Sequence, residues 1–191
     1  MDYGLLLAIC VITLLVLICV YVELPKPFGT PLGSVNGVTA YSSYSPPGPD
    51  APNLMKNMFT GLKWQCVEFA RRYLIVRHGI TFQDVENAYD LFSVQQFLRV
   101  ESNEPVSAYT HMNGAAKAPA VDSLLIYSQE WHGTGHVAVI TQVTDHTIVV
   151  AEQNRDNISC VRCIPCSMSG GRFTILDNYV IGWVEPKIAR A

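Results

Sequence analysis

The chain has 191 residues, a length that suits one domain of ordinary size with a short appendage. Its net charge is −3, from 13 Lys and Arg against 16 Asp and Glu, and it has no run of basic residues. This balance argues against nucleic acid as a partner, because phosphate backbones are bound by clustered positive charge. No feature of the sequence bears on the oligomeric state.

An uncharged apolar segment, GLLLAICVITLLVLICVYV, occupies residues 4–22 after a tail of residues 1–3. As a helix rising about 1.5 Å per residue it would measure roughly 28 Å, close to the ~30 Å hydrocarbon core of a bilayer. A cleaved signal peptide is the alternative, but no Lys or Arg precedes the segment, and Tyr21-Val22-Glu23-Leu24 offers no small-residue cleavage site. We therefore expect a retained transmembrane helix with the bilayer as partner. The protein would be a single-pass membrane protein, and Lys26 alone favours a cytoplasmic domain.

A linker and two helices are predicted after this segment. Residues 23–32 are rich in Pro and have no helical period, which indicates a juxtamembrane linker. Over 64–78, apolar side chains cover most of the helix circumference and Gly79 provides the stop, which predicts a helix in the core of the domain. A second helix is predicted over 84–100, with its apolar residues turned inward: Ala88, Leu91, Phe92 and Leu98.

After Pro119 the pattern changes to short β-branched and aromatic segments separated by polar turns. We predict strands at five such segments, over 123–127, 136–143, 147–152, 173–176 and 179–184. Helices followed by an antiparallel meander indicate an α+β domain.

Cys66 and His136 are the residues that suggest chemistry. Cys66 lies in the first turn of the helix predicted over 64–78, where unsatisfied N–H groups and the helix dipole favour a thiolate. His136 opens a predicted strand, and Glu152 and Asn154 end the next one, so either of them can orient the imidazole. A structural cysteine and a surface histidine are the alternatives for each residue alone. Together the residues predict a Cys–His–acid site carried by a helix and a sheet.

Three further cysteines, Cys160, Cys163 and Cys166, form a C-x2-C-x2-C run. Three thiolates bind zinc only with a fourth ligand, and the chain has no second C-x2-C pair. His132 and His136 are four residues apart, but the glycines around them prevent a helical metal pair. We predict no metal and expect a loop with free thiols.

Three segments together resemble the CHAP amidohydrolase/peptidase family. They are WQCVEFARR at 64–72, GHVAVITQ at 135–142 and AEQN at 151–154. The similarity covers nearly all of 33–185 and is closest to the amidase half of bifunctional glutathionylspermidine and trypanothione synthetase/amidases. It implies a papain-like α+β fold in which an N-terminal core helix bearing Cys66 packs on an antiparallel sheet bearing His136. The CHAP amidase domain would cover 33–186, after the transmembrane helix, and be followed by a tail of 187–191.

The resemblance also implies roles by position. Cys66 matches the nucleophile, His136 the general base and Glu152 the residue that orients His136. Two more positions match residues that assist or bind substrate: Asn154 beside the acid and Arg71 for a substrate carboxylate. We also expect Gln65, next to the nucleophile, to bind substrate.

The resemblance implies a cysteine amidohydrolase that cleaves a small amide or peptide through a thioester, without a cofactor. It favours a glutathionyl-polyamine amide, released as glutathione and polyamine. Because the chain ends where the amidase of those enzymes ends, we expect no ATP-using ligase domain and no synthetase activity. One alternative is an amidase or endopeptidase acting on peptidoglycan peptides, as many other CHAP proteins do. A non-enzymatic alternative is a membrane-tethered binding or acyl-exchange module.

Overall fold

The computed structural model describes Gly4, residues 24–48 and residues 50–188. Its strands in chain order are β1 (Pro31–Val35), β2 (Val38–Tyr41), β3 (Pro52–Met55), β4 (Met58–Leu62), β5 (Ile80–Phe82), β6 (Gln96–Arg99), β7 (Pro105–Met112), β8 (Leu124–Tyr127), β9 (Val137–Val143), β10 (Thr147–Ala151), β11 (Val161–Ser169), β12 (Arg172–Ile175) and β13 (Val180–Pro186). The α-helix α1 spans Cys66–His78, and a 3-10 helix spans Ala88–Ser93.

Nine of the strands form one antiparallel sheet in the order β12-β11-β10-β9-β8-β13-β7-β6-β5. Strands β8 to β12 are neighbours in both sequence and space, so the chain runs back and forth across this half of the sheet. Val137 pairs with Ile126, and Ala151 pairs with both Val139 and Val161. The end of β8, the start of β9, the end of β10 and the start of β11 therefore meet at one end of the sheet.

Helix α1 packs its apolar face onto this sheet. Phe69, Ala70, Tyr73 and Leu74 are buried in the same core cluster as residues of β8, β9 and β13. Each fully buried large apolar side chain contributes about 1.5–3 kcal/mol, so this face fixes the helix firmly. Gly79 ends α1 in the left-handed conformation, at φ 60°, and its N–H donates to Ile75 O.

The α+β class predicted from the sequence is wrong. The described residues are mainly β-sheet, and the helices bounded within them are α1 and the short 3-10 helix. The segment 84–100, predicted as a second helix, contains that 3-10 helix and then strand β6. Asn87 and Asp90 form a capping box that starts only a short helix, and Phe97 is then fully buried between β5 and β7. Strand pairing thus outweighs the helical spacing of the apolar residues.

Nor does the structure support the predicted transmembrane helix over 4–22 or, with it, the single-pass membrane localisation. Within the residues that the structure describes, no helix has the length and apolarity needed to cross a membrane. Apart from Gly4, the predicted span lies outside the described residues.

The five predicted strands are all present, with ends displaced by at most two residues. Two groups of strands were not predicted. One is the pair of hairpins β1–β2 and β3–β4, which lie in a segment where the sequence analysis predicted no strand. The other is β5, β6, β7 and β11, the last of which carries Cys163 and Cys166 where a loop was expected.

A prediction concerns Gly135, which precedes His136. Gly135 has a φ of +69°, and a Cβ built there would lie 2.8 Å from Tyr127 O and 2.9 Å from Tyr89 Cβ. Gly133 has a φ of +79° with nothing within 4 Å of such a Cβ, so it is a matched control. We expect Gly133→Ala to lower the free energy of unfolding by about 1 kcal/mol, the cost of alanine in the left-handed conformation. This lowers the melting temperature by about 2–4 °C. Gly135→Ala adds the close contacts and should lower it at least twice as far. Equal shifts in thermal unfolding would contradict this account of the loop.

Candidate active site

Cys66 is the first residue of α1. Gln65 before it has an extended backbone (φ −81°, ψ 161°), so the helix starts at the cysteine itself. The Gln65 N–H donates to Leu62 O at 2.9 Å, and the Gln65 carbonyl accepts from Gln153 Nε2 at 3.0 Å. The thiol is buried, with 8% of the residue exposed, and lies at the positive end of the helix dipole.

His136 directly precedes β9 and is buried. Its carbonyl accepts from the Tyr127 N–H at 2.9 Å, which joins it to β8. Its ring contacts Tyr127 edge-on, with 5.3 Å between ring centroids, and lies 6.3 Å from the ring of Trp131. The ring Nε2 lies 3.0 Å from Glu152 Oε2. Nδ1 is therefore the nitrogen left to interact with the Cys66 thiol.

Glu152 follows β10 and is 2% exposed. Its N–H donates to Cys160 O at 2.9 Å, so the backbone is held at the start of β11. Its Oε1 accepts from Arg162 Nε at 2.7 Å, while its Oε2 faces His136. In their shortest contacts the two carboxylate oxygens thus face different partners, Arg162 and His136.

The charges of these groups shift one another's pKa values. Burial raises the pKa of the Cys66 thiol, but the charge and hydrogen bond of His136 and the N–H groups of Val137 and Val67 outweigh it and hold the pKa below its usual value. Burial opposes a charged imidazole, yet Cys66 and Glu152 raise the pKa of His136 to about 9. For Glu152, hydrogen bonds from His136 and Arg162 outweigh burial and lower the pKa to about 2. Near neutral pH the arrangement therefore favours a thiolate, an imidazolium and a carboxylate.

A cavity of about 340 Å³ opens beside Cys66. Its walls come from β4, from the start of α1, from residues 84–88 and from Thr134. A cavity of this size accommodates a small amide or a short peptide segment. Carboxylates stand out in its lining, namely Asp50, Glu68, Asp84 and Glu86.

Two of these carboxylates are neutralised. Glu68 is fully buried and accepts from Arg72 Nε at 2.7 Å, and Asp84 accepts from Arg71 Nη2 at 2.9 Å. Among the described residues, neither Asp50 nor Glu86 has an ion-pair partner, and no Lys or Arg lines the cavity. The cavity therefore presents net negative charge to a substrate.

Two of the other predicted site residues lie at this site. Gln65 lines the cavity, and its Oε1 accepts from Asn154 Nδ2. Asn154 Oδ1 in turn accepts from Ser43 Oγ. Asn154 therefore links the residue before Cys66 to the loop after β2.

Arg71 is buried in the wall. It donates to Thr60 O at 2.8 Å and to Asp84, and its guanidinium lies 4.7 Å from the ring centroid of Phe82. In this arrangement Arg71 holds Asp84 in the cavity lining. A direct contact between Arg71 and a substrate carboxylate stays a prediction.

The sequence reasoning missed Arg162, Tyr127 and Trp131, which surround the His136–Glu152 contact. Arg162 pairs across the β10–β11 strands with Val150. Val150 in turn lies two residues before Glu152 in the sequence. Had β11 been predicted as a strand paired with β10, Arg162 would have been expected near Glu152. That segment had no such prediction, because its cysteine run was expected to be a loop.

A buried thiol, imidazole and carboxylate in contact at an open cavity define the site of a cysteine hydrolase. The chain belongs to the CHAP domain family, whose model matches residues 57–154. The matched segment includes Cys66, His136 and Glu152 and ends before Arg162. The predicted resemblance is thereby confirmed.

Known proteins similar to this chain are amidase-bearing and synthetase enzymes. The chain is 37% identical over 182 residues to the bifunctional glutathionylspermidine synthetase/amidase of Escherichia coli (strain K12), which covers 83% of this chain and 29% of that protein. It is 35% identical over 140 residues to the trypanothione synthetase of Crithidia fasciculata, which covers 70% of this chain and 22% of that protein. The chain thus spans less than a third of the length of these relatives. The family and the relatives together show that the chain is a hydrolase of the cysteine amidase or peptidase type.

Proposed function

We propose that this chain hydrolyses the amide bond of glutathionyl-polyamine conjugates and releases glutathione and polyamine. Cys66 is the nucleophile in this proposal, His136 the general acid and base, and Glu152 the residue that orients His136. The observation that carries the proposal is the buried Cys66–His136–Glu152 contact at a cavity lined by carboxylates.

The reaction follows from the charges of the site. The Cys66 thiolate attacks the amide carbonyl, and backbone N–H groups at the start of α1, which lack partners within the helix, receive the negative charge on oxygen. The C–N bond then breaks as imidazolium His136 gives its proton to the departing amine, which leaves a thioester on Cys66. Neutral His136 removes a proton from water as the water attacks the thioester. The acid product leaves and the thiolate–imidazolium pair is restored.

The charge of the cavity supports a cationic substrate. A glutathionyl-polyamine amide carries net positive charge, because the amide consumes the glycine carboxylate while the free amines of the polyamine stay protonated. Asp50 and Glu86, which lack ion-pair partners among the described residues, attract such a molecule to the cavity beside Cys66. Asp84 lines the same cavity, but its charge is paired with that of Arg71.

The relatives support the same substrate class. The Escherichia coli relative is a bifunctional glutathionylspermidine synthetase/amidase, and the aligned residues cover 83% of this chain. Peptidoglycan peptides are the rival substrate, but the described residues that line the cavity include no Lys or Arg to bind their carboxylates.

The first prediction from this proposal concerns substrate. The full chain, incubated separately with glutathionylspermidine and with purified peptidoglycan, should release glutathione and spermidine from the first and nothing from the second. Mass spectrometry of the products is the measurement. Cys66→Ala should abolish the release and keep the fold, because alanine is favourable at a helix start.

A variant that removes one cavity carboxylate tests whether the negative charge of the cavity attracts the substrate. Glu86→Gln should raise KM for glutathionylspermidine and change kcat little, because attraction of the cation acts on the ground and transition states alike. Glu101→Gln, an exposed carboxylate after β6, is the control and should change neither parameter. Release of peptides from peptidoglycan with no cleavage of the conjugate would reject the proposed substrate.

The second prediction concerns Glu152. Glu152→Gln keeps the hydrogen-bonding reach of the side chain but removes the charge that favours imidazolium His136. Turnover of glutathionylspermidine should fall by roughly 10- to 10⁴-fold, as expected for a lost orienting acid. Asn154→Ala is the comparison and should cost less, because the Asn154 amide bonds Gln65 and Ser43. A normal rate in Glu152→Gln with a collapsed rate in Asn154→Ala would show that Asn154 is the orienting residue.

A further inference from the structure

Arg162, on β11, contacts two carboxylates and a tyrosine hydroxyl near the site. Its Nε donates to Glu152 Oε1 at 2.7 Å and its Nη2 approaches Glu152 Oε2 at 3.4 Å. Nη1 lies 3.3 Å from Asp177 Oδ2, and Nη2 also donates to the Tyr127 hydroxyl. The side chain is 20% exposed, so these contacts are only partly screened by solvent.

The shortest contacts of the two Glu152 oxygens go to different partners. Arg162 takes Oε1 in the short bond, and Oε2 is left 3.0 Å from His136 Nε2. A carboxylate held at both oxygens cannot turn about its last bond, so Oε2 stays aimed at the ring. The planar guanidinium is suited to this, because its donors lie in a fixed fork.

Arg162 also changes the charge around His136. Without it, thiolate, imidazolium and carboxylate sum to one negative charge in a buried site. With it, the four charges sum to zero. The other charged or titratable groups here are Asp177 and Tyr127, both bonded to Arg162, and Arg155, whose Nε is 3.8 Å from Glu152 Oε1.

We infer that Arg162 is a positioning residue that acts through Glu152 to aim His136 and to limit how strongly its imidazolium is stabilised. This inference rests on the proposed roles of Cys66, His136 and Glu152. It adds a residue that lies beyond the segment matched by the family model.

The test measures the pH dependence of Cys66 alkylation by iodoacetamide in the full chain, with the labelled cysteine identified by mass spectrometry. Alkylation forms a bond from the Cys66 sulfur to carbon and releases iodide, so it requires no assumed substrate. In the wild type the rate should show two inflections. The lower one marks thiolate formation beside imidazolium, and the upper one, near pH 9, marks loss of the imidazolium proton.

Arg162→Gln should move the upper inflection to higher pH by about one unit, because the uncompensated Glu152 then holds the imidazolium proton more tightly. Asp177→Asn should move it to lower pH, because Arg162 loses the acid on its far side. Arg162→Lys keeps the charge and should keep the wild-type inflection, but it loses the fork and should slow turnover of glutathionylspermidine about tenfold. Arg172→Gln, an exposed arginine that donates to Gly114 O, should change nothing.

The opposite directions expected of Arg162→Gln and Asp177→Asn separate this inference from a purely structural role. Wild-type inflections in both, with only a lower unfolding temperature, would overturn it, as would an equal shift in Arg172→Gln. If Arg162→Gln does not fold, Arg162→Lys and Asp177→Asn decide the question. A wild-type profile with a single inflection near that of an ordinary thiol, about 8.5, would reject the proposed nucleophile and this inference with it. A two-step profile without cleavage of glutathionylspermidine would reject only the substrate.

Discussion

The hydrogen bond between His136 Nε2 and Glu152 Oε2, 3.0 Å long, joins two side chains that are almost wholly buried. Removing charged groups from water costs several kcal/mol for each ion, so a buried imidazolium is stable only among compensating charges. In the site, negative and positive charges alternate. The Cys66 thiolate lies on one side of the His136 ring and the Glu152 carboxylate on the other, and the Arg162 guanidinium lies beyond Glu152. The low pKa of Cys66 and the high pKa of His136 both follow from this alternation.

The fold brings these charges together from separate parts of the chain. Adjacent antiparallel strands place His136 and Glu152 at one end of the sheet, while the thiol comes from α1. Gln153, next to Glu152, connects the two by donating to Gln65 O and to Glu68 Oε2, each at 3.0 Å. Glu68 in turn accepts from Arg72 and from residues of the β3–β4 hairpin, so one hydrogen-bond network holds the cavity wall and helix α1 together.

Features with a local cause were predictable from the sequence. The helix over 64–78 was found because its apolar face and the Gly79 stop lie within one segment, and the structure begins it only two residues later. Features set by distant pairing were not. The apolar spacing within 84–100 fits a helix, yet β6 pairs with β5 and β7. Likewise the contact of Arg162 with Glu152 depends on the β10–β11 register, which no local pattern in the cysteine run indicates.

The central claim, that a thiolate at Cys66 keeps His136 charged, is tested most directly by NMR titration of the His136 ring with isotope-labelled histidine. In the wild type the ring should be protonated at neutral pH and titrate at about 9. In Cys66→Ala the thiolate is gone, so the pKa of His136 should fall by about one unit or more. The His136→Gln variant assigns the signal among the five histidines. A neutral wild-type ring at pH 7, or the same pKa in Cys66→Ala, would contradict the claim.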